Sequence, residues 1–323
     1  GELTDDDFTK AEGSADKLRV RVERKKDWFQ ITGDVKIESG RIELAILLDA
    51  VRRQQKYVRV DANRWVELSD QLRQKLVAVA DQTFEIKDQI ELSPGAVPAI
   101  QALELAGAKV DTAAAWSQLA AALTASTKLK PKPPKTLKAT LRDYQIEGHA
   151  WLTRVAAWGA GACLADDMGL GKTVQAIAVL LDRGKDGPAL VLAPTSVIHN
   201  WVDELARFAP TLRPILFTES DRTNKLVGLG PKDVVIASYG VLVRDIDKLA
   251  AIQFTTCVFD EAQALKNHTT QRARAARALQ ADFRIALSGT PFENHLGELW
   301  SLFTIVFPGL FGSWDQFRER FAI

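Results

Sequence analysis

One stretch, Leu164-Ala165-Asp166-Asp167-Met168-Gly169-Leu170-Gly171-Lys172-Thr173, constrains this chain more than any other. The apolar residues 160–165 before it are long enough for a short buried strand. The residues 174–181 after it carry good helix formers at helical spacing. The glycines therefore sit in a turn between a strand and a helix. A phosphate is held well there, because the first N–H groups of a helix are unpaired and lie at the positive end of its dipole. Gly169 and Gly171 let the backbone curl without a Cβ in the way. Lys172 would place a point charge on the β- and γ-phosphates of a nucleotide, and Thr173 would offer its hydroxyl to Mg²⁺. The general pattern also wants glycine at its first position, where this chain has Asp166.

From Leu137 onward, apolar runs alternate with amphipathic ones. Strands are expected at 160–165, 189–193, 214–217, 234–238, 255–259 and 284–288. Helices are expected at 173–183, 197–208, 240–251, 271–279 and 295–307. Such alternation predicts an α/β fold with a mostly parallel sheet covered on both faces. Ligands of such sheets sit at the carboxyl ends of the strands. Val258-Phe259-Asp260-Glu261-Ala262-Gln263 delivers two carboxylates to one of those ends. Asp260 would hold Mg²⁺, directly or through water, facing Thr173. Glu261 would orient and deprotonate the attacking water. Upstream, Leu141-Arg142-Asp143-Tyr144-Gln145-Ile146-Glu147-Gly148 supplies Gln145, whose amide suits the edge of adenine. Tyr144 or Arg142 would stack on or flank the base.

The residues before this part read differently. Leu18, Val20 and Val22 alternate with charged residues, a half-buried strand pattern. Residues 28–32 and 35–37 bracket Gly33-Asp34, a hairpin signal. Ser39 is placed to cap a helix over 41–54. Residues 57–60 and 64–68 form a second hairpin around Asp61-Ala62-Asn63, and Ser69 caps a helix through Ala80. Helices follow at 97–105 and 113–125. Residues 1–16 are a polar lead-in. The result is a small α+β domain over 1–126, regulatory or partner-binding, without a catalytic constellation. Trp28, Phe29, Trp65 and Trp116 read as its core. Residues 127–136, Thr-Lys-Leu-Lys-Pro-Lys-Pro-Pro-Lys-Thr, read as an extended linker.

The length of 323 residues fits two or three domains, and the formal net charge of +1 announces no nucleic acid by itself. The two cysteines, Cys163 and Cys257, lie in apolar runs, as reduced core thiols of a cytosolic protein do. No apolar run approaches the ~20 residues of a membrane span. The single methionine is Met168, so the sequence reads as an internal piece of a longer protein or a processed one.

The order of motifs resembles superfamily-two helicases, and specifically the Swi/Snf-type family of double-stranded DNA translocases. Residues 141–148 match the family's adenine motif, which implies nucleotide contacts by Arg142 and Gln145. Residues 166–173 match its phosphate loop, with an acid at the first position; Asp167, Met168, Gly169, Leu170, Gly171, Lys172 and Thr173 would surround the phosphates. Leu192-Ala193-Pro194-Thr195-Ser196 with Asn200-Trp201 is similar to the segment that touches the tracked DNA strand. Ser238-Tyr239-Gly240 is similar to the next DNA-facing segment. Residues 260–267 fit the acid motif. Ser288-Gly289-Thr290-Pro291-Phe292-Glu293-Asn294 with Glu298-Leu299-Trp300 fits the segment that couples nucleotide state to DNA grip.

The resemblance covers 137–323 and implies a RecA-like lobe that binds ATP and Mg²⁺ and grips duplex DNA through its phosphates. It implies a second RecA-like lobe, absent from the chain, whose arginines stabilise the transferred phosphoryl; such an arginine gives about 10³–10⁵ in rate in related hydrolases. The spelling of the last motif, with Pro308-Gly309-Leu310-Phe311-Gly312, looks bacterial, which implies a cytoplasmic, nucleoid-associated protein. The first domain loosely resembles the extra module placed before the motor in bacterial members, where a protein partner would dock. Two other functions compete: an RNA helicase on a similar scaffold, and a non-catalytic nucleotide- or partner-binding module. Gln263, Leu265-Lys266-Asn267 and Glu298-Leu299-Trp300 favour the DNA translocase over the first.

Overall fold

Period-two alternation of apolar and charged residues builds the first sheet. The computed structural model describes residues 11–321 except 26, 27, 39, 61–64, 87, 88, 219–223 and 291–295. The chain divides into two units: Gly1–Ala121 with Gly312–Gln316, and Ala122–Phe311 with Phe317–Ile323.

In the first unit the elements run β1 (Ala11–Gly13), β2 (Leu18–Arg24), β3 (Phe29–Ile37), β4 (Gly40–Glu43), α1 (Leu44–Arg52), β5 (Tyr57–Arg59) and β6 (Trp65–Leu68). They continue with α2 (Asp70–Ala80), β7 (Thr83–Ile86), β8 (Gln89–Leu92), α3 (Val97–Leu105), β9 (Lys109–Thr112) and the start of α4 (Ala114–Lys128). The main sheet has the order β7-β8-β3-β2-β9, with β4 also on β3, and β1-β6-β5 form a smaller sheet. Leu18, Val20, Val22, Ile31 and Val35 are buried, as are Leu47 and Leu48 of α1 and Leu72, Leu76 and Val79 of α2. Trp116 is buried edge-on against Phe29 at 4.9 Å, a core role.

Three expectations for this unit change. Gly33 is not in a hairpin turn: β3 passes straight through it, paired with Val20 of β2. A Cβ at Gly33 would lie 2.3 Å from the Arg19 carbonyl oxygen, so this glycine permits close strand approach. The helix expected from Arg41 starts at Leu44, because residues 40–43 pair antiparallel with β3 and bury only Ile42. Within the polar lead-in, β1 pairs parallel with β6. Ser39 and Asp61-Ala62-Asn63 lie outside the described residues, while β5 and β6 pair antiparallel as expected.

After α4, residues 129–142 carry no helix or strand. The second unit then runs α5 (Asp143–Ala157), β10 (Ala162–Leu164), α6 (Lys172–Arg183), β11 (Ala189–Ala193), α7 (Ile198–Phe208), β12 (Arg213–Leu216) and β13 (Asp233–Ser238). It continues with α8 (Tyr239–Arg244), α9 (Ile246–Ala250), β14 (Gln253–Phe259), α10 (Gln271–Ala278), β15 (Gln280–Leu287) and α11 (Leu296–Val306). The single helix expected over 240–251 is two, interrupted at Asp245. The His295 start expected for the last helix lies outside the described residues.

All strand pairs of the second sheet are parallel, in the order β10-β15-β14-β11-β13-β12. Successive strand residues enter separate cores. Ala189, Val191, Val258 and Ile285 pack with Ile177 and Leu180 of α6 and Leu205 of α7. Leu190, Leu192, Cys257 and Phe259 pack with Leu242 of α8, Ala276 of α10 and Ile305 of α11. Burial pushes the Cys163 thiol up to about 11 and Cys257 to about 12, so both stay uncharged. Among the described residues no helix is long and apolar enough to cross a membrane.

The Gly33 contact gives a stability test. Gly33→Ala forces a methyl against the β2 backbone and should cost about 1–3 kcal/mol in chemical denaturation, the range of overpacking defects. A stability equal to the parent would contradict the close approach.

Candidate active site

The loop between β10 and α6 takes its shape from two left-handed glycines. Gly169 has φ +83° and Gly171 has φ +76°, a region costly for residues with a Cβ. Gly171 caps α6, so Lys172 and Thr173 open the helix at its positive end. The Lys172 ammonium folds back over the loop and donates to the carbonyl oxygens of Asp166 at 2.7 Å and Asp167 at 3.0 Å. Asp166, the departure from the general pattern, accepts from the fully buried Gln175 amide of α6 at 3.0 Å. That bond ties the first motif position to the helix it precedes. Asp167, Met168, Gly169 and Leu170 are exposed.

The acid pair follows β14. Backbone N–H of Asp260 donates to the Leu192 carbonyl at 2.7 Å, so the sheet fixes where the chain leaves it. One carboxylate oxygen, Oδ1, accepts from the Glu261 N–H at 2.9 Å, and Oδ2 accepts from the Trp201 indole at 2.8 Å. Burial pushes this carboxyl above its ordinary range; the Trp201 and Glu261 donors oppose that, as does the nearby Lys172 charge, while Glu261 adds to it. Glu261 has φ 47°, a left-handed conformation that costs about 1–3 kcal/mol outside glycine and gathers at functional sites. Its carboxylate accepts from the Gln263 amide.

The third segment closes on the first two. A Cβ on Gly289 would lie 2.9 Å from Met168 Cγ and 3.9 Å from Lys172 Nζ. The Ser288 hydroxyl donates to the Gln263 amide oxygen at 3.3 Å and accepts from the Thr290 N–H at 3.2 Å. Glu261, Gln263, Ser288 and Thr290 thus form one hydrogen-bonded chain. Lys266 pairs with Glu298 at 3.3 Å, and Trp300 stacks edge-on with His268 at 5.1 Å. Pro291, Phe292, Glu293 and Asn294 lie outside the described residues.

Gln145 is buried and its amide makes two bonds within the protein: Oε1 accepts from the Arg142 N–H at 2.9 Å, and Nε2 donates to the Leu170 carbonyl at 3.1 Å. Tyr144 donates to the same carbonyl at 3.1 Å. These bonds brace the loop from α5, and Gln145 keeps a second N–H and a second lone pair beside the cavity that it helps to line. Arg142 is exposed beside a cavity of about 540 Å³ that Lys138, Thr140, Thr173, Glu204 and Arg207 also line. Burial raises the Glu204 carboxyl, and the Asp260 charge adds to that. Glu204 and Arg207 were not singled out from sequence; their i, i+3 spacing on α7 was the available signal.

The two expected DNA-facing segments split as well. Thr195, Ser196, Asn200 and Gly240 are exposed. Trp201 and Tyr239 are 1% and 3% exposed, so their side chains lie in the lobe's cores. The Tyr239 hydroxyl donates to the Asp260 carbonyl oxygen at 2.7 Å, and buried Ser238 caps α8 through the Val241 N–H. Burial holds the Tyr239 phenol well above its ordinary range, so it remains a donor.

The arrangement fits a magnesium nucleotide. Nothing lies within 4 Å of where a Gly169 Cβ would stand, each Asp260 oxygen keeps a lone pair, and the loop runs into the α6 N-terminus at Gly171. The sequence profile of the SNF2-related domain matches residues 144–323. The chain belongs to the SNF2-related family. YwqA of Bacillus subtilis, provisionally described as an ATP-dependent helicase/translocase, is 39% identical over 266 residues, which is 80% of this chain and 28% of that protein. The chromatin-remodelling ATPase INO80 of Drosophila melanogaster is 38% identical over 60% of this chain and 13% of its own length. The SWI2/SNF2 ATPase core of Sulfolobus solfataricus, solved with double-stranded DNA, superposes with TM-score 0.54 at 44% identity, covering 60% of this chain and 41% of that one. The second unit is thus a RecA-like lobe of an SNF2 ATPase core.

The two loop glycines separate conformational from steric cost. A Cβ at Gly171 would also meet the Gln145 amide at 2.4 Å, whereas at Gly169 it meets nothing within 4 Å. Gly169→Ala should cost about 1–2 kcal/mol of strain, and Gly171→Ala clearly more, with a larger loss of nucleotide binding. Thermal unfolding and titration of a fluorescent nucleotide check the order; the reverse order would contradict the geometry.

Proposed function

We propose that the whole protein is an ATP-driven translocase on double-stranded DNA that remodels protein–DNA complexes. The observation that carries this reading is that β10 and β14 pair parallel on either side of β15, so the Lys172 loop, the acid pair and the segment with Gly289 leave the sheet at one rim. On binding ATP, Lys172 exchanges the carbonyls of Asp166 and Asp167 for the β- and γ-phosphates. Thr173 and Asp260 would hold Mg²⁺, which neutralises charge on the phosphates when bound. Glu261 orients the attacking water and accepts its proton. Gln263, Ser288 and Thr290 pass the state of that carboxylate to Gly289 beside the loop. In this proposal a second lobe supplies arginines that stabilise the transferred phosphoryl.

Support for the DNA reading comes from relatives: the archaeal neighbour is solved with duplex DNA and INO80 is a chromatin-remodelling ATPase. On this chain Thr195, Ser196, Asn200 and Gly240 would meet backbone phosphates. Such contact is strongly salt-dependent and nearly blind to sequence. The first unit would regulate the motor or dock a protein partner, and the protein would work in the bacterial cytoplasm on the nucleoid.

The test is steady-state hydrolysis by the whole protein. Duplex DNA should stimulate it more than RNA, and stimulation should fall steeply as salt rises. Lys172→Ala should abolish ATP binding; Glu261→Gln should bind ATP yet cleave at least about 100-fold more slowly. Stronger stimulation by RNA would move the protein to the RNA helicases, and normal cleavage by Glu261→Gln would remove Glu261 as the base.

A further inference from the structure

We propose that Trp201 and Tyr239 are positioning residues that fix the metal-binding carboxylate of Asp260 from both faces of the sheet. This rests on the reading of Asp260 as the Mg²⁺ ligand.

Trp201 belongs to the core under α6 and α7, and Tyr239 to the core under α8, α10 and α11. Both rings are packed and nearly without solvent. Each aims its one polar handle at the same residue: the Trp201 indole at Asp260 Oδ2, 2.8 Å, and the Tyr239 hydroxyl at the Asp260 carbonyl, 2.7 Å. An indole N–H is a donor only, so it cannot ligate a cation itself. It can stop the carboxylate rotating about χ2 and leave a chosen lone pair free. The tyrosine bond pins the peptide that follows, where Glu261 adopts its left-handed conformation. A rigid ring holding a donor on a metal-binding carboxylate sets the ligand's direction before the metal arrives. Loss of such an outer partner costs about 10–100-fold in metal affinity.

Phenylalanine at either position keeps the ring and removes the handle, which separates positioning from packing. The experiment titrates a ribose-labelled fluorescent ATP analogue against the whole protein, in EDTA and across a range of Mg²⁺, with thermal unfolding recorded for each variant. Trp201→Phe should raise the Mg²⁺ concentration for half-maximal strengthening of binding about tenfold. Tyr239→Phe should raise it by a smaller factor. Affinity in EDTA should stay within about twofold for both, because the polar group removed from each ring bonds to Asp260 and acts through the metal ligand. Asp260→Asn should remove the Mg²⁺ effect.

If Asp260→Asn removes the effect and Trp201→Phe leaves half-saturation at the parental value, the positioning role is overturned and the Asp260 assignment stands. If Asp260→Asn leaves the effect intact, both fall. If the phenylalanine variants lose as much affinity in EDTA as in Mg²⁺, the rings act through packing alone and the proposal is wrong.

Discussion

A carboxylate buried at the end of a sheet costs free energy unless donors surround it. Asp260 is such a group, and much of the second unit is arranged around it. The parallel sheet supplies the first restraint, through the Leu192 carbonyl that accepts the Asp260 N–H. The next residue supplies the second, at the expense of a strained backbone at Glu261. Trp201 and Tyr239 add one bond each from opposite cores. A surface acid would need none of this. The excess of restraint over what packing requires marks Asp260 as a group whose direction matters.

Lys172 faces the same problem with opposite sign. Its ammonium donates to two uncharged carbonyls of its own loop, partners that an anionic phosphate can replace. The loop is held from outside by other residues: Gln175 grips Asp166, while Gln145 and Tyr144 grip Leu170. A scaffold braced at both ends leaves the middle of the loop, around Gly169, open. Gly289 fits against Met168 because it lacks a side chain.

Sequence carried the lobe well because parallel sheets advertise themselves. Buried strands read as apolar runs, and the helices between them have clear caps, as at Ser238 and Thr270. The phosphate loop and acid pair were legible because few backbones make Gly-Lys-Thr at a strand–helix turn. What sequence could not show was direction. Trp201 and Tyr239 stood inside segments that resemble DNA-contacting ones, and only packing reveals that they point inward. Gln145 has donor and acceptor for an adenine edge, and the same two groups serve a helix cap and a loop carbonyl. In the first unit the mixed sheet hid β7, β8 and β9, whose short runs carry weak alternation. Gly33 misled because glycine before aspartate signals a turn, whereas here a neighbouring backbone excludes a Cβ.

The central claim is that Lys172 and Asp260 serve one nucleotide. A structure of the whole protein with a non-hydrolysable ATP analogue and Mg²⁺ tests it most directly. The account predicts Lys172 released from the Asp166 and Asp167 carbonyls onto the β- and γ-phosphates, with Asp260 in the magnesium coordination shell or one water removed from it. A nucleotide bound elsewhere, or Lys172 still folded on its own loop with the analogue present, would contradict it.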